Sequence, residues 1–251
     1  MIPHDGIPLD DRGLLLGDGL FETMLAIDGA LPHLPAHLDR MASGCAVLNL
    51  PFERGEAERV CRAAVPAEGR FAVRLTLTAG SGGRGLDRPA APVPRLFATA
   101  APTAPPATPA VLIVADTRRN EGSPAARLKT LSYLDNVLAR AEARAAGADE
   151  AVMLNNRGEV AGAGAANLFW IEGERLFTPR LDCGVLAGIT RARLMALRPV
   201  EEVAVELEAL ERADAIFLTN SLIGARPVSW LGGRMFEEHP MAERLRALLA
   251  S

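Results

Sequence analysis

From Leu34 onward, apolar side chains return every three or four positions. Leu34, His37, Leu38, Met41 and Cys45 fall on one side, the spacing of a helix with one buried face. A different period governs "AEGRFAVRLTLTAG", where alternation from Phe71 to Leu77 predicts a half-buried strand. A second strand, "PRLFATAA", follows the glycine-rich loop "GSGGRG". Residues 14 to 34 read as short strands around turns, and the Asp28-Gly29 pair between apolar runs predicts a hairpin.

Proline crowding in "APTAPPATPA", residues 101 to 110, forbids helix and central strand. The stretch predicts a linker over 102–109 between a small N-terminal α+β domain, 1–101, and a larger domain, 110–251. Beyond it, "AVLIVAD" predicts a strand and "LSYLDNVLARAEARAAG" a helix ending at Gly147. Strands joined by turns follow in "DEAVMLNNRGEVAGAGAANLFWIEGERLFTP". "GVLAGITRARLMALR" enters a second helix, "ADAIFLTNS" is a strand, and "MAERLRALLA" is a closing helix. No repeat runs through the chain. The reading is an α+β protein of two domains.

Composition narrows the function classes. Hydrophobic residues make up 49% and charged residues 23% of the 251 positions, ordinary for a globular chain. A net charge of −4 argues against a broad nucleic-acid footprint or an anionic membrane partner. No apolar run reaches membrane-spanning length, and "MIPHDGIPLDD" lacks the apolar stretch of a signal peptide. Cys45, Cys61 and Cys183 lie far apart, without disulfide or zinc spacing. Buried free thiols in a reducing compartment, the cytoplasm, are expected.

Among 27 basic side chains only Lys129 is a lysine, and Tyr133, the only tyrosine, follows four residues later. GC-rich codon usage accounts for arginine on solvated faces, and a lone lysine is most often a snorkelling surface residue. Lysine can nevertheless lose its proton and attack a carbonyl, which guanidinium cannot. Tyr133 shares a face with Lys129 if the stretch is helical, though an ordinary core role accounts for it equally well. "LAGITRARL" places backbone amides at a helix start, suited to phosphate but equally to a plain capped helix. "FLTNS" ends a strand with Thr219, Asn220 and Ser221, which can hold phosphate oxygens. "HLPAHLDRM" offers Arg40, an anion-binding fork or a solvated helix charge, one turn from His37. No P-loop lysine, third metal ligand beside His33 and His37, or G-x-S-x-G elbow is present.

Lysine, phenol and several phosphate-holding stretches together suggest pyridoxal phosphate. The chain resembles the class IV aminotransferase group of pyridoxal-phosphate enzymes from about Asp11 to about Val228. The resemblance is carried by "DRGLLLGDGLFET", "HLPAHLDRM", "LKTLSYLDNVLARAEA", "GADEAVMLNNRGEV", "AANLFWIEGERLFTPRLDCGVLAGITR" and "ADAIFLTNSLIGARPV". It implies a smaller α+β domain and a larger barrel-like domain, with the active site between them, usually in a homodimer. It implies that Lys129 forms the Schiff base and later carries protons, and that Arg40 holds the phosphate. Ile189 and Thr190 bind phosphate at the helix start with help from Ser221, and Tyr133 approaches the cofactor's 3′ oxygen. Within the group, "GSGGRG", "AANLFW" and "TPRLD" lean toward aminodeoxychorismate lyases, which release pyruvate from 4-amino-4-deoxychorismate to give 4-aminobenzoate. A D- or branched-chain amino-acid transaminase and a non-catalytic relative are the alternatives.

Two positions depart from the group. Five residues before Asn167, where the group typically has a glutamate for the pyridine nitrogen, stands Gly162. Glu159, three residues earlier, would point to the opposite face of a strand. Ala79 replaces an arginine often found before the glycine loop of the lyases.

Overall fold

The computed structural model describes residues 6–83 and 85–250, with the side chain of Ala250 omitted; Arg84 of "GSGGRG" lies outside this set. Two compact units emerge. One holds the described residues up to Ala104 together with Leu128–Tyr133; the other holds Pro105–Arg127 and the described residues from Leu134 on.

The first unit runs α1 (Arg12–Leu16), β1 (Gly19–Ile27), α2 (Leu34–Leu48), α3 (Arg54–Ala64), β2 (Arg70–Thr78) and β3 (Arg95–Pro102). Its three strands form one antiparallel sheet in the order β1-β2-β3. Strand alternation sorts the side chains. Leu20, Met24, Val73, Leu75 and Leu77 join Leu34, Leu38, Met41 and Cys45 of α2 and Val60 and Cys61 of α3 in one apolar core. The helical face expected for α2 is the one buried. Phe21, Thr23 and Arg74 fall on the other set of β1 and β2 positions, with Thr23 opposite Arg74.

The second unit is built on a curled mixed sheet. Its strands are β4 (Ala110–Val114), β5 (Glu150–Leu154), β6 (Val160–Ala163), β7 (Asn167–Glu172), β8 (Arg175–Pro179), β9 (Glu201–Val203), β10 (Ala215–Asn220) and β11 (Gly224–Leu231), with β12 (Arg234–Met235) paired to β11. The path is β6-β5-β4-β11-β10-β7-β8-β9. Curling puts Val160 of β6 and Phe177 of β8 in one cluster with Leu112, Leu168, Trp170, Ile216 and Leu218. On the reverse face, Phe169, Ile171, Ala215 and Phe217 pack under α6 (Ile189–Leu197) and α8 (Pro240–Ala250). Ala139 and Ala143 of α5 (Leu134–Ala145) pack with Ala151 and Met153. Two short helices, α4 (Pro124–Arg127) and α7 (Glu208–Arg212), complete the unit.

Three sequence expectations need correction. "RGLLL" is helix α1, not strand: Asp11 accepts the Gly13 N–H at its start and Gly17, at φ 65°, ends it. Asp28 and Gly29 do take positive φ, but no strand returns immediately. Asp28 instead bonds across to Gly69, and β1 pairs with β2, whose sequence begins some forty residues later. Finally, the helix expected from Leu131 begins at Leu134. The preceding residues are extended: Phe21 donates its N–H to Lys129 O at 2.9 Å, Leu131 donates to Gly19 O at 3.0 Å, and Leu20 bridges Thr130. Those bonds draw Leu128–Tyr133 into the first unit, although the sequence alone assigned Lys129 to the domain beginning at 110.

Candidate active site

The backbone bonds along β1 fix where Lys129 can reach. Its Nζ lies 4.3 Å from the Phe21 ring centroid and 5.2 Å from that of Tyr133. Tyr133 meets Phe21 edge-on, with centroids 5.1 Å apart. Lys129 and Tyr133 therefore converge on Phe21 without sharing a helix. Arg74 stacks its guanidinium on Phe21, 3.7 Å from the centroid. Desolvation lowers the Arg74 pKa below its ordinary value, opposed by the nearby Tyr133 phenol. Arg74 carries no sequence signal beyond alternation, because a charge on a strand's outward face is ordinarily just solvated.

Arg40 lies behind that sheet, on α2. Its Nε and Nη2 donate to the Glu22 carboxylate at 2.8 and 2.5 Å, and His37 Nδ1 approaches the same carboxylate at 2.7 Å. Glu22 and His37 are each 1% exposed and the Arg40 side chain 17%. Burial raises the Glu22 pKa, but the hydrogen bonds from Arg40 and His37 more than reverse it. Arg40 is thus held in a bidentate fork rather than left as a solvated helix charge.

Ile189, Thr190 and Ser221 belong to the second unit. Ile189 and Thr190 are the first two residues of α6, and its N-cap, Gly188, contributes no capping side chain. First-turn amides at such an end favour an anion. A Cβ on Gly188 would stand 1.9 Å from Asn167 Oδ1, so any larger residue there would displace the Asn167 side chain or the loop. Ser221 follows directly on β10. Two residues before it, Thr219 is fully buried and its Oγ1 has no hydrogen-bond partner among the described residues. In register, Thr219 lies opposite Asn167, on the sheet face that α6 covers. An uncapped helix start, the Ser221 hydroxyl at the end of β10 and the Thr219 hydroxyl, buried and unpartnered among the described residues, are groups suited to a phosphate.

At the departure from the family pattern, Gly162 has φ 104°. Glu159 is occupied within its own turn, bonding Asn155 Nδ2 at 2.7 Å and Arg157 Nη2 at 2.6 Å. These bonds, Arg157 first, lower its pKa. Ala79 is fully buried in the first unit's core.

The comparisons with known proteins agree with one another. The model of the amino-transferase class IV family matches residues 19–231. The aminodeoxychorismate lyase of Vibrio harveyi is 30% identical over 91% of this chain and 88% of its own length. The chloroplastic D-amino-acid transaminase of Arabidopsis thaliana is 32% identical over 97% of this chain and 70% of its own. The solved 4-amino-4-deoxychorismate lyase of Pseudomonas aeruginosa superposes with a TM-score of 0.89 at 32% identity, covering 98% of this chain and 95% of that one. By sequence and by fold, this chain belongs to the class IV aminotransferase family and is a pyridoxal-phosphate-dependent enzyme.

Proposed function

We propose that the protein is an aminodeoxychorismate lyase, releasing pyruvate from 4-amino-4-deoxychorismate to give 4-aminobenzoate for folate synthesis. The observation that carries this reading is the 32% identity to a solved lyase over 98% of the chain. In this reading Lys129 is the covalent anchor of pyridoxal phosphate, Tyr133 faces its 3′ oxygen, and Arg40, Ile189, Thr190 and Ser221 hold its phosphate. Pyridoxal phosphate supplies the electron sink that acidifies the carbon bearing the substrate's amine. Lys129 Nζ takes the proton from that carbon. The bond from the neighbouring ring carbon to the enolpyruvyl oxygen breaks with its electron pair on the oxygen, the ring becomes aromatic, and the released enolate takes up one proton at carbon to become pyruvate. Arg74, a cation on the same aromatic ring as Lys129, binds a carboxylate of the substrate.

The small N-terminal domain, the linker at 102–109 and the larger domain belong to the same reading, as does a cytoplasmic homodimer. Supporting a dimer, α5 exposes Leu134, Val137 and Leu138 at helical spacing. Among the described residues no helix is long and apolar enough to cross a membrane.

A D-amino-acid transaminase is the second reading, favoured by the likeness to the Arabidopsis enzyme. Incubation with 4-amino-4-deoxychorismate, against D-alanine plus 2-oxoglutarate, separates the two by product. Formation of 4-aminobenzoate and pyruvate is expected; D-glutamate without 4-aminobenzoate overturns the lyase assignment. Borohydride treatment of the holoenzyme should leave the reduced cofactor on the peptide containing Lys129, and Lys129→Arg should abolish that adduct. An adduct elsewhere removes Lys129 from its role.

A further inference from the structure

Three turns of the second unit are tied together by two asparagines, and neither tie belongs to the sheet ladder. Asn167 opens β7 and lies opposite Thr219. Its Nδ2 donates to Leu186 O at 2.9 Å, in the loop that leads into α6, while its Oδ1 rests against Gly188. Both ends of one amide thus set the position of the first turn of α6. Asn220 ends β10, and its amide is also used at both ends. Its Oδ1 accepts from the N–H groups of Leu222 and Ile223 at 2.9 and 3.0 Å, fixing the turn that contains Ser221. Its Nδ2 donates to Ala165 O at 3.0 Å.

The turn at Ala165 is a firm anchor. Asn136 Nδ2 donates to Gly164 O at 2.6 Å, and Gly164 donates its N–H to Ala151 O at 3.1 Å. Ala163 donates to Ala166 O at 2.9 Å. The buried Glu150 accepts from the Ala165 N–H and pairs with Arg140 at 3.0 Å. Asn220 therefore fastens the Ser221 turn to a loop whose backbone is already held from two neighbouring elements.

We propose that Asn167 and Asn220 are positioning residues for phosphate recognition: one sets the amides of Ile189 and Thr190, the other sets Ser221. The inference rests on the reading of those three residues as the phosphate grip. Helix-start amides and a serine hydroxyl reward an anion only where their donors converge, and neither group can correct its own position by rotating a long side chain. Asparagine suits the task because it donates and accepts at once and brings no charge. Aspartate in either place would lose the donor and set a negative charge beside a phosphate dianion. Thr219, buried and with its Oγ1 unpartnered among the described residues, stands opposite Asn167 in the ladder and directly before Asn220.

The test compares the affinities of pyridoxal 5′-phosphate and pyridoxal, which lacks the phosphate. Each is titrated, after removal of bound cofactor, into the wild type, Asn167→Ala and Asn220→Ala. Ser221→Ala, which removes a hydroxyl of the grip, serves as the direct-contact control. Each asparagine variant is expected to weaken pyridoxal phosphate at least tenfold, about 1.4 kcal/mol, while pyridoxal changes less than twofold. Asn220→Ser, whose hydroxyl can still accept from the Leu222 N–H, should recover part of the loss, and it stands in if Asn220→Ala folds poorly. Equal weakening of both ligands marks the asparagines as general scaffold and overturns the proposal. Unchanged affinities in the asparagine variants, with a phosphate-selective loss in Ser221→Ala, overturn the proposal alone. If none of the variants discriminates between the ligands, the phosphate reading falls and takes this inference with it.

Discussion

Glu22 is a buried charge held by two side chains of α2, and its removal has a calculable cost. The carboxylate is 1% exposed and accepts from Arg40 Nε, Arg40 Nη2 and His37 Nδ1. Glu22→Ala leaves a guanidinium and an imidazole facing a cavity. Breaking a buried pair by deleting one partner costs about 3–5 kcal/mol. Glu22→Gln keeps one acceptor oxygen for Arg40 but turns an amide donor toward donors, losing about 1.5–3 kcal/mol of charged hydrogen bonding. At roughly 2–4 °C per kcal/mol for a chain of this size, the alanine variant should melt about 6–20 °C lower, with the glutamine variant between it and wild type. The pH dependence gives a second reading from the same samples. Because the folded-state pKa of Glu22 is depressed, its stabilisation is complete above the unfolded carboxylate pKa, about 4.3. That stabilisation is lost as pH falls through the folded value. The gap between wild type and Glu22→Gln should therefore narrow in acid. Thermal unfolding followed by circular dichroism between pH 3 and 8 measures both effects. A Glu22→Ala variant melting within 2 °C of wild type at pH 7, or a gap that widens in acid, refutes the reasoning.

Other substitutions test separate parts of the structure. Arg40→Ala should weaken pyridoxal phosphate binding by about 1.5–3 kcal/mol, read by cofactor titration; an unchanged affinity removes Arg40 from the phosphate grip. Gly188→Ala places a methyl 1.9 Å from Asn167 Oδ1 and should cost about 1–3 kcal/mol by overpacking. Denaturant melts check the loss, and wild-type stability would show that the α6 loop yields freely. Gly162→Ala meets only Ala166 O, at 3.4 Å, so its cost comes from φ 104° and should be about 1–3 kcal/mol. Gly162→Glu should carry at least that backbone penalty, and equal melting of wild type and both variants would show that position 162 relaxes to negative φ.

The strongest periodicities were legible because local burial decides them. Helix α2 keeps its apolar face at Leu34, Leu38, Met41 and Cys45, and Val73, Leu75 and Leu77 of β2 reach the core as alternation predicts, although Thr76 and Thr78 are buried as well, so the strand is not half-buried there. Helix α3 buries only Ala57, Val60 and Cys61, a stripe too short to stand out in the sequence. Helix α1 misled because Leu14, Leu15 and Leu16 resemble a strand core yet are exposed. Its real signals were the flanking Asp11 and Gly17. Lys129 stood out by uniqueness, and Tyr133 by proximity to it, but the means by which they meet did not. Glu22, Arg74 and Asn167, and Asn220 through its Nδ2, act on partners distant in sequence, and no local period encodes which distant residue a polar side chain will find.

The pleat of β1 explains how one short segment serves two purposes. Phe21 and Glu22 are consecutive, so their side chains leave opposite faces of the sheet. Phe21 receives Lys129, Tyr133 and Arg74, whereas Glu22 receives Arg40 and His37 from α2. A one-residue slip in pairing would exchange these faces, putting a carboxylate beside Lys129 and leaving Arg40 against an aromatic ring. The register is protected from both sides. Leu20 and Met24 lie opposite Leu77 and Val73 in the core, so slippage would expose apolar surface, while the Phe21 N–H bond to Lys129 O would lose its partner. Core packing in this unit therefore does more than stabilise it: the burial that places Leu20 and Met24 also decides which neighbour Lys129 and Arg40 each meet.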